Sequence, residues 1–306
     1  MPSANTFVPR IAAFLAALII VACLGLCGCG AEEGTSGAPF TPPKTPANAN
    51  FDASKASGSN GAYIDASSAA QGYVAVRAQS SQRLKFQILC GDASQNYDVP
   101  SGHAIICPLT FGDGSYTFRV LKNTRGTNYV EICRTQVNVA LESEFAPFLR
   151  PNVFCAFDAE SARVKKAHEL TRDAENEGDA LKAICTWIVD NVSYDNAKAE
   201  KLKNATGYVP SPDDTLSSKT GVCFDYASLG AAMLRSQGMP TKIITGYVSP
   251  DSIYHAWICV YIDGTWKSAR FSIDKNTWSR VDLTFAAGSG NSLVGDGKDY
   301  TDRYIY

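Results

Sequence analysis

A cysteine, a histidine and an aspartate follow one another in the second half of the chain as Cys223, His255 and Asp282. A cysteine thiolate is a strong nucleophile, and an imidazole transfers protons near neutral pH. A carboxylate that accepts the second imidazole N–H fixes the tautomer of the ring. Cys223 follows Gly221 at the start of a helical pattern, where the helix dipole stabilises a thiolate. These residue types predict thiol-dependent acyl transfer through a covalent intermediate.

Sequence context separates the three histidines of the chain. His103 lies in a predicted loop, and His168 lies in the charged helical segment KKAHELTRD. His255 instead opens the apolar strand HAWICVYI, so its ring is expected to project from a fixed backbone. His255 is therefore the expected partner of the cysteine.

Several aspartates are candidates for the carboxylate that orients the imidazole. Asp225 lies on the predicted helix of the cysteine, Asp263 in a predicted turn and Asp274 in a polar segment. Asp282 is preferred because strand-forming residues flank it, and a carboxylate buried there is costly unless it is paired. Asp274 remains its main rival.

Two kinds of pattern surround these residues. Between 61 and 152, apolar and polar residues alternate in short runs such as LKFQILC and SYTFRVL, separated by turn signals. This alternation predicts a small antiparallel β-sandwich. After 153 the spacing becomes helical, and a helix predicted over 223–237 is followed by the strands TKIITGYV, YHAWICVYI and TWSRVDLTF. The predicted fold is α+β, with a central helix packed on an antiparallel sheet.

Three short blocks carry a resemblance to a known family: GVCFDYA at 221–227, HAW at 255–257 and WSRVDLTF at 278–285. They resemble the blocks of the transglutaminase-like superfamily, particularly its exported bacterial members, and the resemblance covers about residues 179 to 306. It implies a papain-like cysteine domain. Leu283 stands where the family often has a proline.

The resemblance also implies an activity. Cys223 would attack a peptide or carboxamide carbonyl, with His255 as acid and base, Asp282 as its orienting group and the Cys223 backbone N–H as an oxyanion donor. A peptidase or amidase is preferred over a cross-linking enzyme, because a cross-linker must exclude water from the acyl-enzyme and no segment identifies such a site. The expected substrate is a protein, a peptide or a cell-wall peptide. The alternative is a cell-surface binding or scaffold module of the same fold that has lost turnover.

The N-terminus has the pattern of an export signal. Arg10 precedes an apolar run from Ile11 to Leu26, which is shorter than the about 20 residues that a membrane-spanning helix needs. The run ends in LCGC, which resembles a bacterial lipobox with Cys29 as the lipidated residue. We therefore expect residues 1–28 to be a lipoprotein signal peptide. The mature protein is expected to be anchored to the outer face of the bacterial cytoplasmic membrane.

Composition divides the remainder of the chain. Residues 29–60 are rich in Gly, Ser, Pro, Ala and Asn, which predicts a disordered tether. Residues 61–152 form the predicted β-rich accessory domain, and residues 153–306 the catalytic domain. The net charge of −2 gives no sign of nucleic-acid binding. No cysteine or histidine grouping has metal-ligand spacing, so neither a metal nor another cofactor is expected.

Export permits disulfide bonds among the remaining cysteines, although the spacing leaves their pairing open. Bonds between Cys90 and Cys107, or between Cys133 and Cys155, would close loops in the β-rich region. Cys259 shares strand parity with the expected catalytic histidine. We expect Cys259 to be a packing residue rather than a disulfide partner of the nucleophile.

Overall fold

The computed structural model describes residues 34–249, 252–268, 271–288 and 300–306. The contacts of the chain group residues from Ala31 onward into one compact unit. The expected signal peptide and Cys29 lie outside the described residues. Within the described ranges, no helix is both long enough and apolar enough to cross a bilayer.

The first part of the described chain is built mainly from strands. They are β1 (Gly34–Gly37), β2 (Ser57–Ser59), β3 (Ala62–Asp65), β4 (Tyr73–Ala78), β5 (Leu84–Cys90), β6 (Ala93–Val99), β7 (Ala104–Pro108), β8 (Gly114–Arg125) and β9 (Asn128–Val139).

Eight of these strands form two antiparallel sheets, in the orders β2-β3-β4-β7 and β6-β5-β8-β9. Side chains alternate across each strand, so Leu84, Phe86 and Ile88 of β5 are buried while the residues between them are half-buried. They share one apolar core with Val74 and Val76 of the other sheet. The predicted β-rich region is therefore confirmed.

The second part of the chain mixes helices and strands. In chain order they are α1 (Ala162–Thr171), α2 (Glu177–Asn191), β10 (Ser193–Tyr194), α3 (Asn196–Leu202), α4 (Pro212–Ser218), β11 (Thr220–Gly221), α5 (Cys223–Ser236), β12 (Thr241–Val248), β13 (Ile253–Val260), β14 (Gly264–Lys267), β15 (Ser272–Ile273), β16 (Ser279–Val281), α6 (Leu283–Ala286) and β17 (Tyr300–Ile305).

Helix α5 is the centre of this part, since every residue from Asp225 to Ser236 is buried. It packs against a sheet of order β16-β13-β12-β17, whose β12 and β13 are antiparallel neighbours. Gly230 permits the close approach, because a Cβ there would lie 2.7 Å from Leu283 Cδ1 and 3.4 Å from Ile258 Cδ1. The predicted α+β fold with a central helix on an antiparallel sheet is confirmed.

For residues 34–60, the described part of the expected tether, the structure contradicts disorder. Strand β1 pairs antiparallel with β14, and Phe40 N donates to Glu175 O at 3.1 Å. The composition predicted disorder because the segment has few apolar side chains to bury, but backbone pairing with another strand needs no large apolar side chain. Glycine even favours it, since a Cβ on Gly37 would lie 2.7 Å from Asp263 O.

Candidate active site

Cys223 is the first residue of α5 and is half-buried. Strand β11 leads into the helix and pairs in parallel with β10, which places Gly221 opposite Tyr194. A Cβ on Gly221 would lie 2.6 Å from Asp225 Cβ, so the glycine is required by close packing against the first turn of the helix. No described residue accepts a hydrogen bond from the Cys223 backbone N–H. That N–H remains available at the positive end of the helix.

Asp225 fixes the backbone on which the cysteine sits. Its side chain is fully buried, and its Oδ2 accepts a hydrogen bond from Val222 N at 2.8 Å. The Lys198 ammonium lies 2.6 Å from the same oxygen, and the Tyr208 hydroxyl donates to Oδ1. Burial, together with this hydrogen bond, raises the pKa of Tyr208 well above its ordinary value, so the hydroxyl remains a donor. Lys198 and Tyr208 were not predicted from the sequence. A carboxylate at a helix start among apolar residues is costly to bury without hydrogen-bonding or charged partners, and that cost was the available signal.

His255 lies on β13 and is only 5% exposed. Its Nε2 is 2.8 Å from Asp282 Oδ2, and the Cys223 side chain lies near enough to the imidazole to raise its pKa, so Nδ1 is the nitrogen left to face the sulfur. The Phe285 ring stacks on the imidazole, with centroids 4.7 Å apart and planes 8° apart. The ring is thus held on one face by Phe285 and at Nε2 by Asp282.

The surroundings of His255 favour its charged form. Burial alone lowers the pKa of this imidazole, but the negative charges of Cys223 and Asp282 and the hydrogen bonds to both raise it to about 10. An imidazolium between a sulfur and a carboxylate stabilises the sulfur as a thiolate. The arrangement can therefore supply both a nucleophile and a proton donor.

Asp282 is placed by helix capping rather than by a strand. The sequence analysis put it inside a strand, but β16 ends at Val281 and Asp282 is the N-cap of α6. Its Oδ1 accepts from Phe285 N at 3.1 Å, and its Oδ2 accepts from the Tyr300 hydroxyl at 2.9 Å as well as from His255. Burial and the neighbouring carboxylate raise the pKa of Tyr300 well above its ordinary value. Tyr300 is a further neighbour that the sequence analysis missed.

The other predicted candidates lie elsewhere. Asp274 is exposed and pairs with Lys267, and Asp263 pairs with Lys275 at 2.6 Å. The structure therefore brings Asp282 rather than Asp274 to the imidazole. Of the other two histidines, His103 is exposed and His168 is half-buried on α1.

Cys223 and His255 line a cleft with a volume of about 820 Å³. Aromatic side chains make up much of its wall, namely Tyr97, Phe154, Tyr194, Tyr208, Phe224, Tyr247, Tyr254 and Tyr306. Burial and the charge of Cys223 raise the pKa of Tyr194 to about 12, so this residue presents a neutral hydroxyl on the cleft wall.

All seven cysteines within the described residues are free, so neither of the two possible pairings, Cys90 with Cys107 or Cys133 with Cys155, is formed. Cys107 and Cys133 are buried in the apolar core, where a thiol packs as a small hydrophobic group. Cys259 is free and half-buried, and burial raises its pKa to about 11. In the described ranges, no three His, Cys, Asp or Glu side chains group closely enough to hold a metal ion.

Residues 164–283 match the family model of the transglutaminase-like superfamily. The chain carries a transglutaminase-like domain. The matched segment begins within α1 and includes Cys223, His255 and Asp282.

Relatives in other organisms share part of the chain. A UPF0252 protein of Methanocaldococcus jannaschii is 27% identical over 198 residues, which are 59% of this chain and 54% of that protein. Human kyphoscoliosis peptidase is 27% identical over 118 residues, which are 35% of this chain and 17% of the peptidase. The chain therefore spans about half of the archaeal relative and a smaller part of the human one.

Among solved structures, red sea bream transglutaminase is 12% identical and covers 74% of this chain and 49% of its own. Its TM-score of 0.30 is too low to support an argument.

Proposed function

We propose that this transglutaminase-like protein is an exported, lipid-anchored thiol enzyme that hydrolyses peptide or carboxamide bonds. Cys223 is the nucleophile, His255 the acid and base, and Asp282 the orienting carboxylate. The observation that supports this most is the buried imidazole between two partners, with Nε2 2.8 Å from Asp282 Oδ2 and the Cys223 side chain near enough to raise its pKa.

Acylation begins when the Cys223 thiolate attacks the carbonyl carbon of the substrate. A C–S bond forms as the C=O π electrons move to oxygen, and the Cys223 backbone N–H donates to that oxyanion. The oxyanion then collapses and the C–N bond breaks. The His255 imidazolium gives its proton to the departing nitrogen, so ammonia or an amine leaves and a thioester remains.

Deacylation reverses the proton transfer. His255 takes a proton from a water molecule as the water oxygen attacks the thioester, and the sulfur leaves as a thiolate. The product is a carboxylic acid, and the imidazolium–thiolate pair is restored. Asp282 accepts the Nε2–H throughout, which keeps Nδ1 directed at the sulfur.

Hydrolysis is preferred to amine transfer because the cleft is open to solvent at its rim. Tyr254 is 50% exposed and Tyr247 is 37% exposed, and both line the cleft. Water therefore has access to an acyl-enzyme at Cys223. The expected substrates are proteins, peptides or cell-wall peptides at the outer face of the membrane.

Alkylation with iodoacetamide at pH 6 tests the nucleophile. We expect Cys223 to be labelled much faster than Cys259, whose pKa of about 11 leaves it protonated at that pH. A His255→Gln variant should lose the difference because it lacks the imidazolium. Equal rates at the two cysteines in the wild-type protein would instead favour a binding module without turnover.

A screen of carboxamide and peptide substrates tests the reaction. Release of ammonia or amine is compared with incorporation of an added primary amine, and Cys223→Ala serves as the control. We expect release to dominate. Dominant incorporation would show a cross-linking enzyme.

Lipid attachment is tested separately in full-length protein expressed in bacteria. Cys29→Ser should abolish labelling by radioactive palmitate and release the protein from the membrane fraction. Cys27→Ser is the matched control, because Leu26 rather than a small residue precedes Cys27. Equal palmitate labelling of the wild type and Cys29→Ser would contradict the anchor.

A further inference from the structure

The β-rich region reaches the catalytic cleft through one strand. Asn96, Tyr97 and Asp98 of β6 line the same cleft as Cys223 and His255. Strand β6 is the outermost strand of the sheet β6-β5-β8-β9.

The cleft meets the edge of that sheet rather than one of its faces. Asn96 is exposed, whereas Tyr97 is 2% exposed and belongs to the apolar core, so the lining residues come from both faces of β6. No residue of β5 lines the cleft, although the structure describes the whole of that strand. The cleft therefore runs along the outer side of β6.

The register shows which backbone groups point into this space. Asn123 N donates to Arg83 O at 2.8 Å and continues the β5–β8 ladder, so the odd-numbered residues of β5 direct their backbone groups at β8. The even-numbered residues of β5 direct theirs at β6, where they meet its odd-numbered residues. The even-numbered residues of β6, which include Asn96 and Asp98, direct their N–H and C=O groups away from the sheet.

The free edge is centred on Asn96. Within the described part of the chain, no group hydrogen-bonds to the N–H or C=O of Asn96. At Asp98 the edge is closed by side chains and a loop. The Asp98 carboxylate is bound by Arg83 at 2.7 and 2.8 Å, and a Cβ on Gly207 would lie 2.7 Å from Asp98 Oδ2. An open, unpaired strand edge is a template for another extended chain.

We propose that the substrate binds as an extended polypeptide strand added to the free edge of β6. The N–H and C=O of Asn96 pair with the substrate backbone, and a carbonyl of the same segment reaches Cys223. This inference rests on the proposed function and specifies its substrate as a polypeptide in extended conformation. The β-rich region is then part of the active site rather than a spacer.

The test uses two irreversible probes of Cys223. One is an alanine-based hexapeptide chloromethyl ketone, and the second is the same reagent with N-methylated backbone amides, which cannot donate to a strand edge. Iodoacetamide, which is too short to reach β6, measures the intrinsic reactivity of the thiol. We expect N-methylation to slow alkylation of the wild-type protein roughly tenfold, as the loss of backbone hydrogen bonds predicts.

Proline at position 96 provides the matching change in the protein. Because the Asn96 N–H lies outside the β5–β6 ladder, Asn96→Pro removes the edge donor and leaves that ladder paired. Ser94→Pro is the control, since Ser94 is an exposed residue of the same edge that does not line the cleft. We expect Asn96→Pro to slow the unmethylated hexapeptide reagent roughly tenfold relative to Ser94→Pro, with equal iodoacetamide rates.

Different outcomes test strand addition at β6 and the proposed catalytic role of Cys223. Equal alkylation of Asn96→Pro and Ser94→Pro by the hexapeptide reagent would overturn strand addition. Equal rates for the two hexapeptide reagents on the wild-type protein would overturn it as well, and this comparison does not depend on how a variant folds. Slow iodoacetamide labelling of wild-type Cys223 would instead remove the proposed catalytic thiol.

Discussion

Two buried carboxylates belong to the candidate site, and their contacts differ. Asp282 contacts the proposed base, since its Oδ2 lies 2.8 Å from His255 Nε2. Asp225 has no hydrogen bond to that imidazole and instead accepts from Val222 N, the residue before Cys223. We infer that one carboxylate orients proton transfer and the other fixes the backbone that carries the nucleophile.

The difference follows from the partner cations. Asp225 faces Lys198, which takes no part in the proposed reaction. Asp282 faces an imidazole that loses and regains a proton in each cycle of the proposed reaction. A carboxylate whose partner takes no part in proton transfer stabilises the structure. A carboxylate whose partner gains and loses a proton can affect the rate of the reaction. Burial alone does not distinguish them, because both carboxylates are largely inaccessible to solvent.

The largest expected effect comes from Asp282→Asn. An amide oriented by the Phe285 N–H cannot hold the imidazolium as a carboxylate does, so we expect kcat to fall by about 10²–10⁴. Asp274→Asn is the matched control, because that exposed carboxylate pairs with Lys267 and should leave kcat unchanged. A larger loss in Asp274→Asn than in Asp282→Asn would reverse the assignment.

Asp225→Asn should act on stability instead. It leaves the Lys198 ammonium without its counter-charge, and we expect the free energy of unfolding in urea to fall by about 3 kcal/mol. Glu160→Gln removes an exposed partner of Lys165 and should cost under about 1 kcal/mol. If the two variants unfold at the same urea concentration, Asp225 does not stabilise the helix start.

The pH dependence of turnover tests the charge on His255. Its pKa is raised to about 10, so the proton needed by the leaving nitrogen is present below that pH and lost above it. We expect kcat/KM to fall about tenfold per unit above pH 10. Iodoacetamide labelling of Cys223, which needs only the thiolate, should not fall over the same range. If kcat/KM instead falls with a midpoint near the ordinary imidazole pKa of about 6.5, the assignment of a charged His255 beside Cys223 is contradicted.

Tyr300→Phe should give the smallest effect. It removes one neutral hydrogen bond to Asp282, at 2.9 Å, and leaves the bond to His255 in place. The loss in kcat/KM should be roughly fivefold, as about 1 kcal/mol predicts. Tyr63→Phe, at an exposed tyrosine of β3, is the control and should match the wild type. A loss as large as that of Asp282→Asn would give Tyr300 a direct part in the chemistry.

Local patterns predicted much of the framework. The small and apolar residues after Cys223 predicted a helix over 223–237, and α5 spans Cys223–Ser236. The alternation around His255 predicted its strand, and the structure places it on β13. Such patterns succeed because side-chain periodicity follows directly from helix and strand geometry.

Predictions that depended on distant segments fared less well. Asp282 was selected by the cost of burying a carboxylate and does lie beside His255, but it caps a short helix rather than continuing a strand. The partners Lys198, Tyr208 and Tyr300 were missed because each approaches its carboxylate from a remote part of the chain. Disulfide pairing was left open for a similar reason, since spacing along the chain does not determine proximity.

By itself, the sequence determined the β-rich region, the helix that begins at Cys223 and the strand that carries His255, because each depends on neighbouring residues. Only the tertiary structure decided which aspartate reaches the imidazole and which strand edge faces the cleft. Both outcomes depend on how separate elements pack and in what register, and no local pattern encodes either of them.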